Sequence, residues 1–306
     1  MRFLIVGPGA MGCLFSARLK TAGFDVTLLD YNRERTEHLN RQGICVEGVS
    51  GEYTALVPSM VYEIGDGFDF VLLCVKSNKT RIAAEFLKTR LSDETFIVTL
   101  QNGIGNLEIL QEIFGKHRIL GGVTAEGATS LGWGRIRHAG VGATVIGPKG
   151  TIDGPADKLV SALNKAGFRA ETTDNVAGLL WGKLIINAGI NALTAVTGLK
   201  NGKLPQVTGT NLIMEELVRE AEAVAAAKKI KLPYDDPLAR VREVCRNTSE
   251  NISSMLQDVL NKKETEIDFI NGAIVMEGEM LGIPTSVNRM ITYIVKAIEE
   301  SYQERL

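Results

Sequence analysis

The apolar run Phe3-Leu4-Ile5-Val6 leads directly into Gly7-Pro8-Gly9-Ala10-Met11-Gly12, and from Ala10 to Ala22 the residues have helical periodicity. The spacing G-x-G-x-x-G says little alone, but between a strand and a helix it has a mechanical meaning. Gly7 permits the tight turn, Gly9 lets the backbone approach a pyrophosphate, and Gly12 lets helix and strand pack closely. The helix start then offers N–H groups and a partial positive charge to the phosphates. With Pro8, Ala10 and Met11, these glycines make up the expected cofactor-binding turn. The competing reading is a glycine-rich connector with no ligand.

The pattern continues beyond the turn. Val26 to Leu29 is a second apolar strand, and a charged helix runs from Arg33 to Arg41. Residues 44 to 49 and 53 to 57 read as short strands. Phe70 to Val75 and Phe96 to Leu100 are continuous apolar runs, as strands buried on both faces require, and a helix over 79–90 lies between them. This alternation predicts a parallel sheet wrapped by helices. Residues 119 to 149, rich in Gly, Val and Thr, read as further, antiparallel strands, with one more helix over 155–166. After residue 175 long helical stretches take over, Asn211 to Ile230 and Pro237 to Leu260, punctuated by Pro205, Pro233, Pro237 and Pro284. The expected organisation is α/β with two domains. Residues 1–172 form a Rossmann dinucleotide-binding domain and 173–306 an all-helical domain for substrate and catalysis, with the boundary at Glu171-Thr172-Thr173-Asp174.

The chain has a net charge of -2, and no run of like charges stands out, so neither nucleic acid nor an anionic membrane is the expected partner. The N-terminus reads as a buried strand rather than a signal peptide, and no stretch is expected to cross a bilayer. Cys13, Cys45, Cys74 and Cys245 form no CxxC pair and lie apart from His38, His117 and His138. They read as free thiols of a cytoplasmic protein, with no metal site.

In open parallel sheets, ligands sit beyond the carboxyl ends of the strands. Asp30 ends the second strand, where a carboxylate would hold an adenine-ribose 2′-hydroxyl and favour NAD, unless it simply caps the next helix. Arg33 and Arg35 follow closely and would offset its repulsion of the NADP 2′-phosphate. Lys76 follows the run 70–75, and Asn102, within Gln101-Asn102-Gly103, follows the run 96–100. Both are placed to face cofactor or substrate, unless they are solvated loop residues.

The segment Trp181 to Val196 is strongly apolar, yet Lys183, Asn187 and Asn191 recur every four residues and so share one helical face. A charged lysine and two amides among apolar residues are costly unless they are paired. A substrate cleft would resolve that cost, as would an internal hydrogen-bond network or a solvent-facing edge. Downstream, Asn251 and Ser254 have the i, i+3 spacing of one helical face, and Glu266 lies within Thr265-Glu266-Ile267-Asp268-Phe269-Ile270-Asn271-Gly272. In isolation these residues read as a solvated face.

Taken in order, these features resemble the ketopantoate reductase (2-dehydropantoate 2-reductase) family over nearly the whole chain. The resemblance rests on the turn at 7–12, Lys76, Gln101-Asn102-Gly103, the Lys183, Asn187, Asn191 stripe, Asn201-Gly202, and the blocks 250–258 and 265–272. It implies reduction of 2-dehydropantoate to (R)-pantoate, on the way to pantothenate and coenzyme A, with NADPH or NADH. It implies Lys183 as the catalytic lysine and Glu266 as a carboxylate that organises the site and the cofactor ribose. Asn102, Asn187, Asn191, Asn201 and Ser254 become substrate-binding positions, with Asn251 beside Ser254. Lys76, Asn102 and Ala128 become cofactor contacts. The helical domain should be of the kind shared with 6-phosphogluconate dehydrogenases. One departure stands out: the family usually carries a basic residue after the second strand, where this chain has Asp30-Tyr31-Asn32. That points to NADH, and it opens other branched or aromatic 2-oxo acids as substrates.

In the expected reaction, hydride from the nicotinamide attacks the C2 carbonyl of a small 2-oxo acid, and Lys183 holds the carbonyl oxygen and protonates it. Burial lowers the pKa of Lys183, and a nearby Glu266 opposes the shift. A second copy of the chain is the one protein partner in view. Two alternatives stand beside this reading. A dehydrogenase for another 2-hydroxy acid would use the same residues, whereas a non-catalytic dinucleotide-binding redox sensor would leave Lys183 and Glu266 without a purpose.

Overall fold

The apolar runs form the middle of a mixed sheet in a computed structural model that describes residues 1–148, 150 and 153–304. The elements of this part are β1 (Arg2–Val6), α1 (Ala10–Thr21), β2 (Asp25–Asp30), α2 (Arg33–Gln42), β3 (Ile44–Gly48), β4 (Tyr53–Ala55) and β5 (Ser59–Val61). Then come β6 (Phe70–Leu73), α3 (Thr80–Lys88), β7 (Phe96–Thr99), α4 (Asn106–Phe114) and β8 (Ile119–Thr124). The part closes with β9 (Gly127–Gly132), β10 (Arg135–Gly140), β11 (Ala143–Gly147), α5 (Pro155–Lys165) and β12 (Arg169–Thr172).

Eight strands lie in the order β12-β11-β8-β7-β6-β1-β2-β5, and every pairing is parallel except β8 with β11. A second sheet has the order β4-β3-β10-β9, with β3 and β10 parallel and the other pairs antiparallel. The antiparallel reading of 119–149 therefore needs a correction. It holds for β8 with β11 and for β9 with β10, but β8 runs parallel to β7 because α4 carries the chain back across the sheet.

Alternation along the strands supplies both faces of the large sheet. Phe3, Ile5 and Leu72 pack on one side with Leu14 of α1 and Leu159 of α5. Leu4, Val6 and Leu73 pack on the other with Leu87 of α3 and Leu110 of α4. A sheet covered on both faces explains why its strands read as unbroken apolar runs.

The contact pattern divides the chain into two units. One is Met1–Gln101 with Asn106–Val176, and the other is Asn102–Gly105 with Ala177–Leu306. The helical unit is built from α6 (Val176–Thr197), α7 (Thr208–Ala227), α8 (Pro237–Asn247), α9 (Ser254–Leu260), α10 (Asn271–Leu281) and α11 (Ser286–Glu300). Contrary to the expectation of no membrane-length stretch, α6 is long and apolar enough to cross a bilayer by length and composition. Its apolar window is 61% buried inside the protein, as in a core helix, with Leu184, Ile185 and Ala188 packed against α7 and α8 residues such as Leu217 and Val241.

The expected helix over 237–260 is interrupted. Thr248 turns its hydroxyl back onto the Val244 carbonyl at 2.7 Å, and α8 ends there. Ser253 starts α9 by accepting the Leu256 N–H at 3.0 Å. Asn251 thus precedes the helix and does not share a helical face with Ser254. The N-terminus of α11 is held by Glu220, a buried carboxylate on α7 that accepts the N–H groups of Val287 and Asn288, each at 2.9 Å. A negative charge is favourable at a helix N-terminus.

Candidate functional site

The glycine turn is shaped by its lack of side chains. Gly7 has φ +101°, and a Cβ there would lie 2.9 Å from the Val75 nitrogen. A Cβ on Gly12 would lie 2.0 Å from the Gly7 carbonyl oxygen, so only glycine lets α1 approach the turn. Gly9 differs: its Cβ would meet nothing nearer than the Cys74 oxygen at 3.9 Å, and the residue is exposed. Gly9 is also the N-cap of α1 and provides no side-chain cap, which leaves first-turn N–H groups for an anion. An open backbone cradle at a helix start fits a dinucleotide pyrophosphate. Pro8, Ala10 and Met11 are half-buried around it.

At the end of β2 the Asp30 side chain is fully buried and gripped from within. Arg35 donates to both of its carboxylate oxygens at 2.5 Å, and the Tyr31 and Asn32 N–H groups donate at 2.7 and 3.2 Å. This is a forked, charge-assisted pair. Asp30 does not cap α2; Asn32 does, accepting the Arg35 N–H at 2.8 Å. Arg33 and Tyr31 are exposed beside the pair.

Lys76 is half-buried and opens a short 3-10 turn, Ser77–Lys79, after β6. The loops after β6 and β7 are tied together by Gln101, which donates to the Val75 carbonyl at 2.7 Å and to the Thr80 hydroxyl at 2.8 Å. Thr80 donates in turn to Asn106, which donates to Ser77. Gln101 is therefore the brace in the Gln101-Asn102-Gly103 motif, a role its position did not reveal. Ala128 lies half-buried near the start of β9.

In the helical unit, Lys183, Asn187 and Asn191 lie along α6, the first two half-buried and Asn191 buried. Burial pushes the Lys183 ammonium down to about 8, and the charge of Glu266 works against that shift. Glu266 accepts from the Asn102 side chain at 3.2 Å. Asn102 is held there because Ile104 donates to the Phe269 carbonyl at 3.1 Å, and because Gly103, at φ +82°, passes where a Cβ would lie 2.2 Å from that same oxygen. The structure thus brings Lys183, Glu266 and Asn102 together from three distant parts of the sequence. An ammonium with a lowered pKa beside a carboxylate is suited to proton donation near neutral pH.

Ser254 is exposed at the start of α9. Its neighbour Ser253 is buried and meets the Thr194 hydroxyl at 2.6 Å, and Thr194 donates to the Asn191 carbonyl at 2.8 Å. That direction leaves Ser253 to donate to Thr194 while accepting the Leu256 N–H, so the start of α9 is keyed to the stripe on α6. Asn201 is buried and donates to the Thr248 hydroxyl at 2.9 Å, while its side-chain oxygen has no protein partner. Asn251 is exposed, and its carbonyl accepts the Asn201 N–H at 3.0 Å. Behind the stripe, Asn271 donates to the Ala188 carbonyl of α6 at 3.2 Å and to Asn288 at 3.0 Å, and Asn288 donates to Glu220 at 2.9 Å. Sequence reasoning missed Thr194, Ser253, Asn271, Asn288 and Glu220. For Glu220 a signal existed, since it stands one helical step from Leu217 and Val224 on an otherwise apolar face.

Known proteins resemble the chain over nearly its whole length. Residues 3–150 match the family described as Ketopantoate reductase PanE/ApbA, and residues 175–299 match its C-terminal counterpart. A 2-dehydropantoate 2-reductase of Archaeoglobus fulgidus is 35% identical over 300 residues, covering 97% of this chain and 98% of that protein. The crystal structure of a PanE/ApbA family ketopantoate reductase from Ralstonia eutropha JMP134 superposes with a TM-score of 0.92 at 35% identity, over 99% of this chain and 100% of that one. D-mandelate dehydrogenase, in a ternary structure with NADH and anilino(oxo)acetate, superposes with a TM-score of 0.91 at 27% identity, over 98% and 99%. A sheet edge with an open glycine turn, a helical unit with a buried lysine of lowered pKa, and matches over nearly the whole length lead to one conclusion: the chain belongs to the ketopantoate reductase family of NAD(P)H-dependent oxidoreductases.

Proposed function

We propose that the protein reduces 2-dehydropantoate to (R)-pantoate. The observation that carries this reading is the Lys183–Glu266–Asn102 grouping on the helix that also presents Asn187 and Asn191. When bound, the dinucleotide supplies the hydride. Lys183 Nζ hydrogen-bonds the C2 carbonyl oxygen and passes its proton there as negative charge develops. Its lowered pKa eases that transfer, and Glu266 keeps the ammonium populated at neutral pH. Asn102 orients Glu266 and faces both cofactor and substrate. Asn187 and Asn191 bind the carbonyl and hydroxyl groups, Ser254 receives the substrate carboxylate, and Asn201 accepts a substrate hydroxyl through its unpartnered oxygen. Asn251 backs Asn201.

In this reading the sheet unit binds the dinucleotide, through the turn 7–12, Lys76 and Ala128, and the helical unit carries the substrate residues. For the cofactor, the internal grip of Arg35 on Asp30 supports NADPH over NADH. A carboxylate with both oxygens occupied is poorly placed to accept a ribose 2′-hydroxyl, and its charge is offset, while exposed Arg33 offers a donor to a 2′-phosphate. Free Cys13, Cys45, Cys74 and Cys245 support a reducing, cytoplasmic setting. A homodimer is supported by the exposed apolar side chains Met276, Met280, Met290, Tyr293 and Ile294 on α10 and α11.

The likeness to D-mandelate dehydrogenase supports a second reading, an aromatic 2-oxo acid as the substrate. One experiment separates the two. Purified protein is given NADH or NADPH with 2-dehydropantoate or with the 2-oxo acid of mandelate, and nicotinamide absorbance is followed. Rapid oxidation with 2-dehydropantoate supports the first reading, preference for the aromatic acid supports the second, and no oxidation with either overturns both. A higher kcat/KM for NADH than for NADPH would overturn the cofactor assignment.

A further inference from the structure

The parallel strands β1, β6, β7 and β8 end on one edge of the large sheet, so the connection 125–126 after β8 lies on the same edge as the glycine turn after β1. That connection carries the chain out of the large sheet into the small one, and Ala128 is the second residue of β9 beyond it. From the large sheet it is held by the Ala125 N–H, which donates to the Ala143 carbonyl at 2.8 Å, and by Thr124, whose hydroxyl meets that of Thr144 at 2.8 Å. From the small sheet, Gly127 and Ala128 are held by the pairing of β9 with β10, and Glu126, just ahead of them, by a side-chain bond from its Oε2 to His138 Nε2 at 2.6 Å. Both side chains are fully buried. His138 is also the register partner of Ala128 across β9 and β10, next to a break in register.

This pair is a poor device for stability. Glu126 Oε1 and His138 Nδ1 are both buried with no protein partner. Burying two ionisable groups on one hydrogen bond gains little or nothing over an apolar pair of the same shape. What the bond does provide is direction: it sets how residue 126 enters β9, one residue before the paired Gly127 and Ala128.

We propose that Glu126 and His138 are a positioning pair for the dinucleotide, fixing the connection from which β9 presents Ala128 at the ligand edge. The proposal rests on the reading of Ala128 as a cofactor contact. Its test uses Glu126→Met and His138→Phe, neither of which can make the hydrogen bond, with dinucleotide Kd measured by fluorescence titration, KM for the 2-oxo acid by initial rates, and Tm by thermal melt. Kd for the dinucleotide is expected to rise about tenfold, the effect of losing one buried hydrogen bond, while KM for the 2-oxo acid stays close to that of the parent. A dinucleotide Kd close to that of the parent in a folded variant, whatever its Tm, overturns the proposal. If neither variant folds, Thr144→Val loosens the same connection from the other sheet. A rise in Kd of about threefold is then expected, and no change overturns the proposal. A parent protein that binds neither NADH nor NADPH overturns the cofactor reading itself, an outcome separate from any difference between variant and parent.

Discussion

In the proposed reading, the two units build their ligand-facing parts from different materials. The sheet unit uses backbone: a turn whose glycines bring main-chain atoms close, a helix start and a row of strand ends. The helical unit uses side chains: a lysine and two asparagines along α6, a carboxylate from residue 266 and an amide from residue 102. A pyrophosphate is recognised by N–H groups that any sequence has, so the sheet unit needs only permission to approach. Protonating a carbonyl requires a particular amine with a particular pKa, so the helical unit needs a network to hold it. One site depends on what is left out and the other on what is tied down.

Lys183→Ala strikes the side-chain unit at its centre. Turnover should fall by at least about a hundredfold with dinucleotide Kd unchanged, the low end for loss of a general acid. Near-normal turnover in single-turnover absorbance traces would remove Lys183 from the mechanism. Glu220→Ala attacks the tie-down rather than the chemistry. The N–H groups of Val287 and Asn288 lose their acceptor, and stability should drop by about 3 kcal/mol in denaturant titrations, again with dinucleotide Kd preserved.

Gly9→Ala and Gly12→Ala test the backbone unit as a pair. On Gly9 a Cβ has room, so Tm should hold while dinucleotide Kd rises about tenfold through crowding of the ligand. On Gly12 the Cβ meets the Gly7 oxygen, so Tm should fall as well. Equal behaviour of the two variants would break the distinction between a glycine for the ligand and a glycine for the fold.

The pH profile sharpens the side-chain account. In the proposed mechanism reduction needs the Lys183 ammonium, so kcat should fall as pH rises through about 8. Glu266 raises the lysine's pKa against burial, so Glu266→Gln should move that fall to lower pH. An alkaline limb that stays in place would separate Glu266 from the lysine. The smallest effect is expected from Ser253→Ala. Loss of the α9 cap and the Thr194 contact should cost about 1 kcal/mol and raise KM for the 2-oxo acid without changing dinucleotide Kd.

The same division governs what could be read before the fold was seen. The glycine turn, the buried strands and the Lys183, Asn187, Asn191 stripe were legible because each is a local pattern with a period or a fixed spacing. Residues 237–260 were misread as one helix because the apolar spacing runs on while the hydroxyls of Thr248 and Ser253 stop and restart the backbone. Asp30 was legible as a strand-end carboxylate, but its fork with Arg35 depends on how α2 turns back over β2, which spacing alone does not specify.

Local chemistry along the chain established the fold class, the place of the glycine turn and the face of α6 that carries Lys183, since these depend on neighbours a few residues apart. Folding brought Asn102 to Glu266, Glu126 to His138 and Glu220 to the head of α11. Those contacts join residues 164, 12 and 67 positions apart, and no period reports them. The pKa of Lys183 belongs to the same class, because burial and a distant carboxylate are properties of packed space and not of the helix that carries the lysine.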